Sequence, residues 1–93
     1  MGKKIYDVQL CIKIPESVKT HEEIIYATIN YWSKFAKRIA RFTGAKITEA
    51  PNKTTYFCNI YVEGIKYLKY KTLIIEYYPV TRIASYCITN ENI

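Results

Sequence analysis

The chain has 93 residues, 49% of them apolar, and a formal charge of +6 at neutral pH. This length supports one domain, 1–93, with a modest core, and the apolar share excludes a disordered chain. No apolar run approaches the roughly 20 residues a membrane helix needs, and the positive balance favours anionic partners.

The N-terminus, MGKKIYDVQL, starts basic, but Asp7 and Gln9 interrupt what would be the apolar core of a signal peptide. Tyr6 stands where the myristoylation pattern has Ser or Thr. A soluble intracellular protein with no membrane partner is expected. Ile5 to Ile14 is the first strand: Tyr6, Val8, Leu10, Ile12 and Ile14 alternate with Asp7, Gln9, Cys11 and Lys13. Pro15, which cannot donate to a ladder, ends it and opens a loop to Lys19.

Thr20 to Gly44 has the period of one long amphipathic helix, about 35 Å at about 1.5 Å per residue. Ile24, Ile25, Thr28, Ile29, Tyr31, Trp32, Phe35, Ala36, Ile39, Ala40 and Phe42 fall on one arc. Glu23, Asn30, Lys34, Lys37, Arg38 and Arg41 fall on the other. Thr20 and Glu23 have the spacing of a capping box, and Gly44 suits a left-handed stop. Trp32 and Phe35 are expected in the core.

Ala45 to Glu49 is a short strand, and Pro51, Asn52 and Lys53 form a turn. Thr54 to Glu63 is a strand with Tyr56, Cys58, Ile60 and Val62 on one face. Thr55, Phe57, Asn59, Tyr61 and Glu63 lie on the other. Gly64 marks a turn or bulge. Ile65 to Lys71 fits one helical turn or a hairpin extension and is read as a loop leading into a strand, Tyr70 to Tyr78, that Pro79 ends. Arg82 to Ile88 is a last strand, placed at an edge, and the tail after it is frayed. The expected fold is an α+β two-layer sandwich. Its one long helix packs on a mainly antiparallel sheet of four or five strands, in the order β-α-β-β-β-β.

Two segments carry a candidate function. Lys34, Lys37, Arg38 and Arg41, at i, i+3, i+4 and i+7, form a cationic helix stripe able to track phosphates. An exposed helix face bears such charge anyway, and its macrodipole favours cations in the last turn. Lys66, Lys69 and Lys71 interleave with Tyr67 and Tyr70, a pattern that suits single-stranded nucleic acid, where bases stack and phosphates pair. It also suits an edge strand guarded by Lys. A small non-enzymatic nucleic-acid-binding module is the leading expectation. The alternative is a protein-interaction or inhibitor module, of viral and host-directed kind, using an aromatic sheet face of Phe57, Tyr61 and Tyr78, with a homodimer as one version.

Catalysis and cofactors find little footing. His21 is the single histidine, at the first turn of the helix, and is expected exposed or capping. The glycines are isolated, so no phosphate loop exists. Cys11, Cys58 and Cys87 are widely spaced and fit neither a zinc pattern nor a disulfide framework, so structural thiols are expected. No metal and no cofactor is expected. The abundance of Lys, with few thermolabile side chains, resembles hyperthermophile proteins and small proteins of viruses of hot-spring archaea. That likeness is compositional and rests on no motif.

Overall fold

The structure is a computed structural model that describes residues 10–64 and 69–89. Its elements are β1 (Leu10–Lys13), α1 (His21–Ala36), β2 (Ala40–Glu49), β3 (Thr54–Val62), β4 (Tyr70–Tyr78) and β5 (Ile83–Thr89). They form one five-stranded sheet in the order β1-β5-β4-β3-β2. Every neighbouring pair is antiparallel. The expected α+β layering and element order are therefore found. β1 and β2 run in the same direction at opposite edges, so the chain must cross the sheet between them, and α1 makes that crossing.

The start of α1 follows from its cap. Glu23 N–H donates to Thr20 Oγ1 at 3.1 Å, and Glu23 Oε1 accepts from the N–H groups of Lys19 and Thr20 at 2.9 and 3.2 Å. Those backbone donors, Lys19 first, hold the Glu23 carboxyl below its ordinary value. Ile24, Ile25, Thr28, Ile29 and Trp32 then form the buried stripe. Thr28 fits inside it because its hydroxyl donates to Ile24 O at 2.9 Å.

The helix ends at Ala36, well short of Gly44. Lys37 adopts the left-handed conformation, φ 58° and ψ 45°, and Arg38 N–H donates back to Ser33 O at 3.1 Å. This is a Schellman-type stop made without glycine. The segment Ala40–Arg41–Phe42–Thr43 also alternates with period two, and pairing with β3 decides for strand. Ala40 and Phe42 turn inward opposite Val62 and Ile60, and Arg41 turns outward opposite Tyr61. β2 thus spans ten residues rather than the expected short strand, with a bulge between Phe42 and Gly44. Gly44 lies within β2 and caps nothing. Of the expected apolar arc, Tyr31, Phe35 and Ile39 are exposed, at 47, 63 and 65%.

The core lies between α1 and the inward residues of the sheet: Tyr56, Cys58, Ile60 and Val62 of β3, Leu73, Ile75 and Tyr77 of β4, and Ala84 and Tyr86 of β5. Burial pushes the Cys58 thiol up to about 12. β5 is not an edge strand, because β1 pairs outside it with Leu10 opposite Tyr86 and Ile12 opposite Ala84.

Before β5, Arg82 sits at φ 60°. Its Nε donates to Ile14 O at 3.1 Å, and its Nη2 donates to Pro15 O at 2.5 Å and to Val18 O at 2.6 Å. One guanidinium thus holds the β1–α1 connection against the β4–β5 turn, at the end of the sheet where α1 begins.

Candidate nucleic-acid interface

The break at Lys37 relocates the expected cationic stripe. Lys34 alone stays on the helix, in its last turn. Lys37, Arg38 and Arg41 leave it, so the four do not form one helical row. They gather instead at one end of the sheet. Glu63 N–H donates to Ile39 O at 2.9 Å, and Arg38 Nη1 donates to Gly64 O at 3.1 Å. Arg41 Nε pairs with Glu63 Oε2 at 2.6 Å.

The second basic segment meets the first there. Val62 N–H donates to Lys69 O at 2.7 Å, and Tyr70 lies opposite Tyr61, their ring centroids 5.0 Å apart. Burial, and then the charge of Arg38, hold the Lys71 ammonium below its ordinary value. Arg38 and Lys71 are thus near enough to oppose each other. Lys66 and Tyr67 lie outside the described residues. Lys34, Lys37, Arg38, Arg41, Lys69 and Lys71 share this end with exposed Phe35, Ile39 and Tyr70. Phe35 was expected in the core; it is exposed in the last turn of α1, which ends one residue later.

The two ends of the sheet differ in charge balance. At the end where α1 begins, Glu22, Glu23, Glu49 and Glu76 stand among Lys19, Lys53 and Arg82, with Glu76 paired to Lys53 and Glu49 to His21. At the basic end Glu63 is the one carboxylate among the described residues, and it faces a depression of about 280 Å³ lined also by Lys37, Arg38, Ile39 and Gly64. The C-terminal dipole of α1 adds partial negative charge where these cations collect. It does not neutralise so many of them, and the uncompensated charge remains available to a polyanion.

The face of the sheet opposite α1 carries Phe57, Asn59 and Tyr61 of β3 and Ile74 and Tyr78 of β4, as their pairing phase requires. No described element covers it. Phe57, Tyr61 and Tyr78 share this face without forming one cluster. Tyr61 pairs with Tyr70, whereas Tyr78 lies at the far end of β4 and donates to Glu76 Oε1 at 3.2 Å. A depression of about 350 Å³ opens here, lined by Lys46, Thr48, Phe57, Asn59 and Thr72.

His21 is exposed, as one of the two expected readings has it, and its ring is hydrogen-bonded on both nitrogens. Its Nδ1 lies 2.8 Å from Tyr56 Oη and its Nε2 lies 2.5 Å from Glu49 Oε2. Nε2–H donates to the carboxylate, and Nδ1 shares a hydrogen bond with the phenol, whose hydroxyl can donate or accept. Tyr56 is fully buried, and burial first, then the charges of Tyr77, Glu49 and Cys58, push its hydroxyl up to about 12. The row ties the start of α1 to the end of β2. Cys11 is exposed, Cys58 buried and Cys87 half-buried. No group of three potential metal ligands occurs among the described residues. No described helix is long and apolar enough to cross a membrane.

Sequence reasoning passed over Lys46, Arg82 and Glu63 as partners. Lys46 lies inside the short strand expected at Ala45 to Glu49, but its place beside Phe57 on the open face follows only from the pairing of β2 with β3. Nothing in sequence announces the carbonyls that Arg82 finds.

No family model, no curated protein and no solved structure matches this chain.

Proposed function

We propose that the protein is a non-catalytic nucleic-acid-binding module whose contact surface is the basic end of the sheet. One observation carries this reading: two basic stretches far apart in sequence are joined by strand pairing at Arg41–Tyr61–Tyr70. Lys37 and Arg38 stand beside them at the end of α1. Ammonium and guanidinium groups contact phosphates there, and Tyr70 and Phe35, exposed at 56 and 63%, offer apolar surface to unpaired bases. Arg41 serves less as a free cation than as the partner of Glu63. Lys34 and Lys37 have no carboxylate partner among the described residues and carry more of the contact. Binding is dominated by phosphate and has little sequence preference.

The experiment is a salt titration of single-stranded oligonucleotide binding by wild type and by the double variant Lys34→Glu/Lys37→Glu. The variant is expected to bind at least about 10-fold more weakly at low salt, with a log–log salt slope shallower by about 1–2. Equal affinity and equal slope would remove the basic end as the contact surface.

A further inference from the structure

We propose that the depression on the open face of the sheet, between β2 and β3, is a nucleobase site that continues the path begun at the basic end. This deepens the preceding reading and rests on it. The ligand is an unpaired base of a single-stranded nucleic acid with its flanking phosphate.

The open face is laid out in rows by the strand register. Nearest the basic end stand Arg41, Tyr61 and Tyr70. Next come Gly44, Asn59 and Thr72, and then Lys46, Phe57 and Ile74. Tyr61 and Phe57 are four residues apart on β3, about 13 Å at the strand rise. A strand leaving the Tyr61–Tyr70 pair along this face therefore meets the depression directly.

The lining has the chemistry such a base needs. Phe57 supplies an aromatic ring, and base–aromatic stacking tolerates any base. Asn59 is exposed, and its amide both donates and accepts, as the edge of a base requires. Among the described residues Lys46 has no carboxylate partner, and none of those lining the depression is a carboxylate. This combination of one cation, neutral polar groups and an aromatic complements an anionic, planar ligand, and that is what selects it over an apolar partner.

Gly44 keeps the way in open. A Cβ built there meets nothing within 4 Å, and the residue lies outside the left-handed region of backbone conformation. A side chain at this position is free of strain and projects over the face beside Asn59. Gly44→Leu is thus a blocking variant that leaves the fold intact.

The test compares two fluorescently labelled probes of equal length, an oligothymidylate and an abasic phosphodiester strand, by anisotropy at low salt. Wild type is expected to prefer the base-bearing strand by about 5- to 100-fold. Gly44→Leu and Phe57→Ala are each expected to abolish most of that preference while binding the abasic strand as wild type does. Circular dichroism confirms that each variant is folded. Equal binding of both probes by wild type overturns the base site and leaves the basic end standing. So does a preference that survives in Gly44→Leu. Failure of wild type to bind either probe overturns both readings. Light scattering that shows a dimer in wild type and a monomer in Gly44→Leu assigns the face to a second copy and also overturns the base site.

Discussion

Trp32→Ala is expected to lower the unfolding free energy by roughly 3–5 kcal/mol, whereas Phe35→Ala, one turn further along the same helix, is expected to change it by less than about 0.5 kcal/mol. The two aromatics share one arc of the helical period. Trp32 is 8% exposed and belongs to the core against the sheet, and Phe35 is 63% exposed. Truncating Trp32 removes a large buried side chain and leaves a cavity that the strands close only in part. Truncating Phe35 removes surface already in water. The measurement is urea unfolding followed by far-ultraviolet circular dichroism, since the Trp32 variant has no tryptophan to report. Equal losses for the two variants would mean that α1 continues past Ala36 and buries both side chains.

Arg82→Ala is the second large effect, a loss of roughly 2–4 kcal/mol. The guanidinium satisfies the carbonyls of Ile14, Pro15 and Val18 at once. Charge-assisted bonds of this kind are stronger than neutral ones. Without them the β1–α1 connection loses its side-chain hold on the β4–β5 turn, while the Ile14 N–H to Arg82 O bond at 2.7 Å still joins the two. The backbone and side-chain parts separate with a second variant. Arg82 holds φ 60°, where alanine is as strained as arginine but glycine is not. Arg82→Gly should therefore be about 1 kcal/mol less destabilised than Arg82→Ala. An Arg82→Ala protein with the unfolding midpoint of wild type would show that the three carbonyls are equally content with water.

The layering was legible because period two is strong in β3 and β4. Tyr56, Cys58, Ile60 and Val62 alternate with outward residues, and Leu73, Ile75 and Tyr77 do the same. The start of α1 was equally plain, because Thr20 and Glu23 are local partners. Its end was not. Arg38 to Thr43 satisfies both periods, since Ile39 and Phe42 are three apart and Ala40 and Phe42 are two apart. No Gly, Pro or Asn stands at Lys37 to signal the left-handed stop. What decides is ladder pairing with β3, residues away in sequence, and that pairing is nonlocal.

The candidate site suffered from the same ambiguity. The cations of the basic end were all read from sequence, but a continuous helix set Lys37, Arg38 and Arg41 in a row apart from Lys69 and Lys71. Strand pairing across Arg41, Tyr61 and Tyr70 joins them. The placement of β5 failed for a related reason: β1, its outer neighbour, is the most distant strand in the chain, and no local signal announces that pairing.

The central claim is that these two stretches act as one surface. Amide chemical-shift perturbation by a single-stranded oligonucleotide at low salt tests it most directly. The account predicts that Lys37, Arg38, Ile39, Arg41, Gly64, Lys69, Tyr70 and Lys71 shift together along one binding curve, and that the shifts fade as salt is raised. Shifts centred instead on the start of α1, around His21 and Glu49, or two groups of shifts with separate affinities, would contradict it.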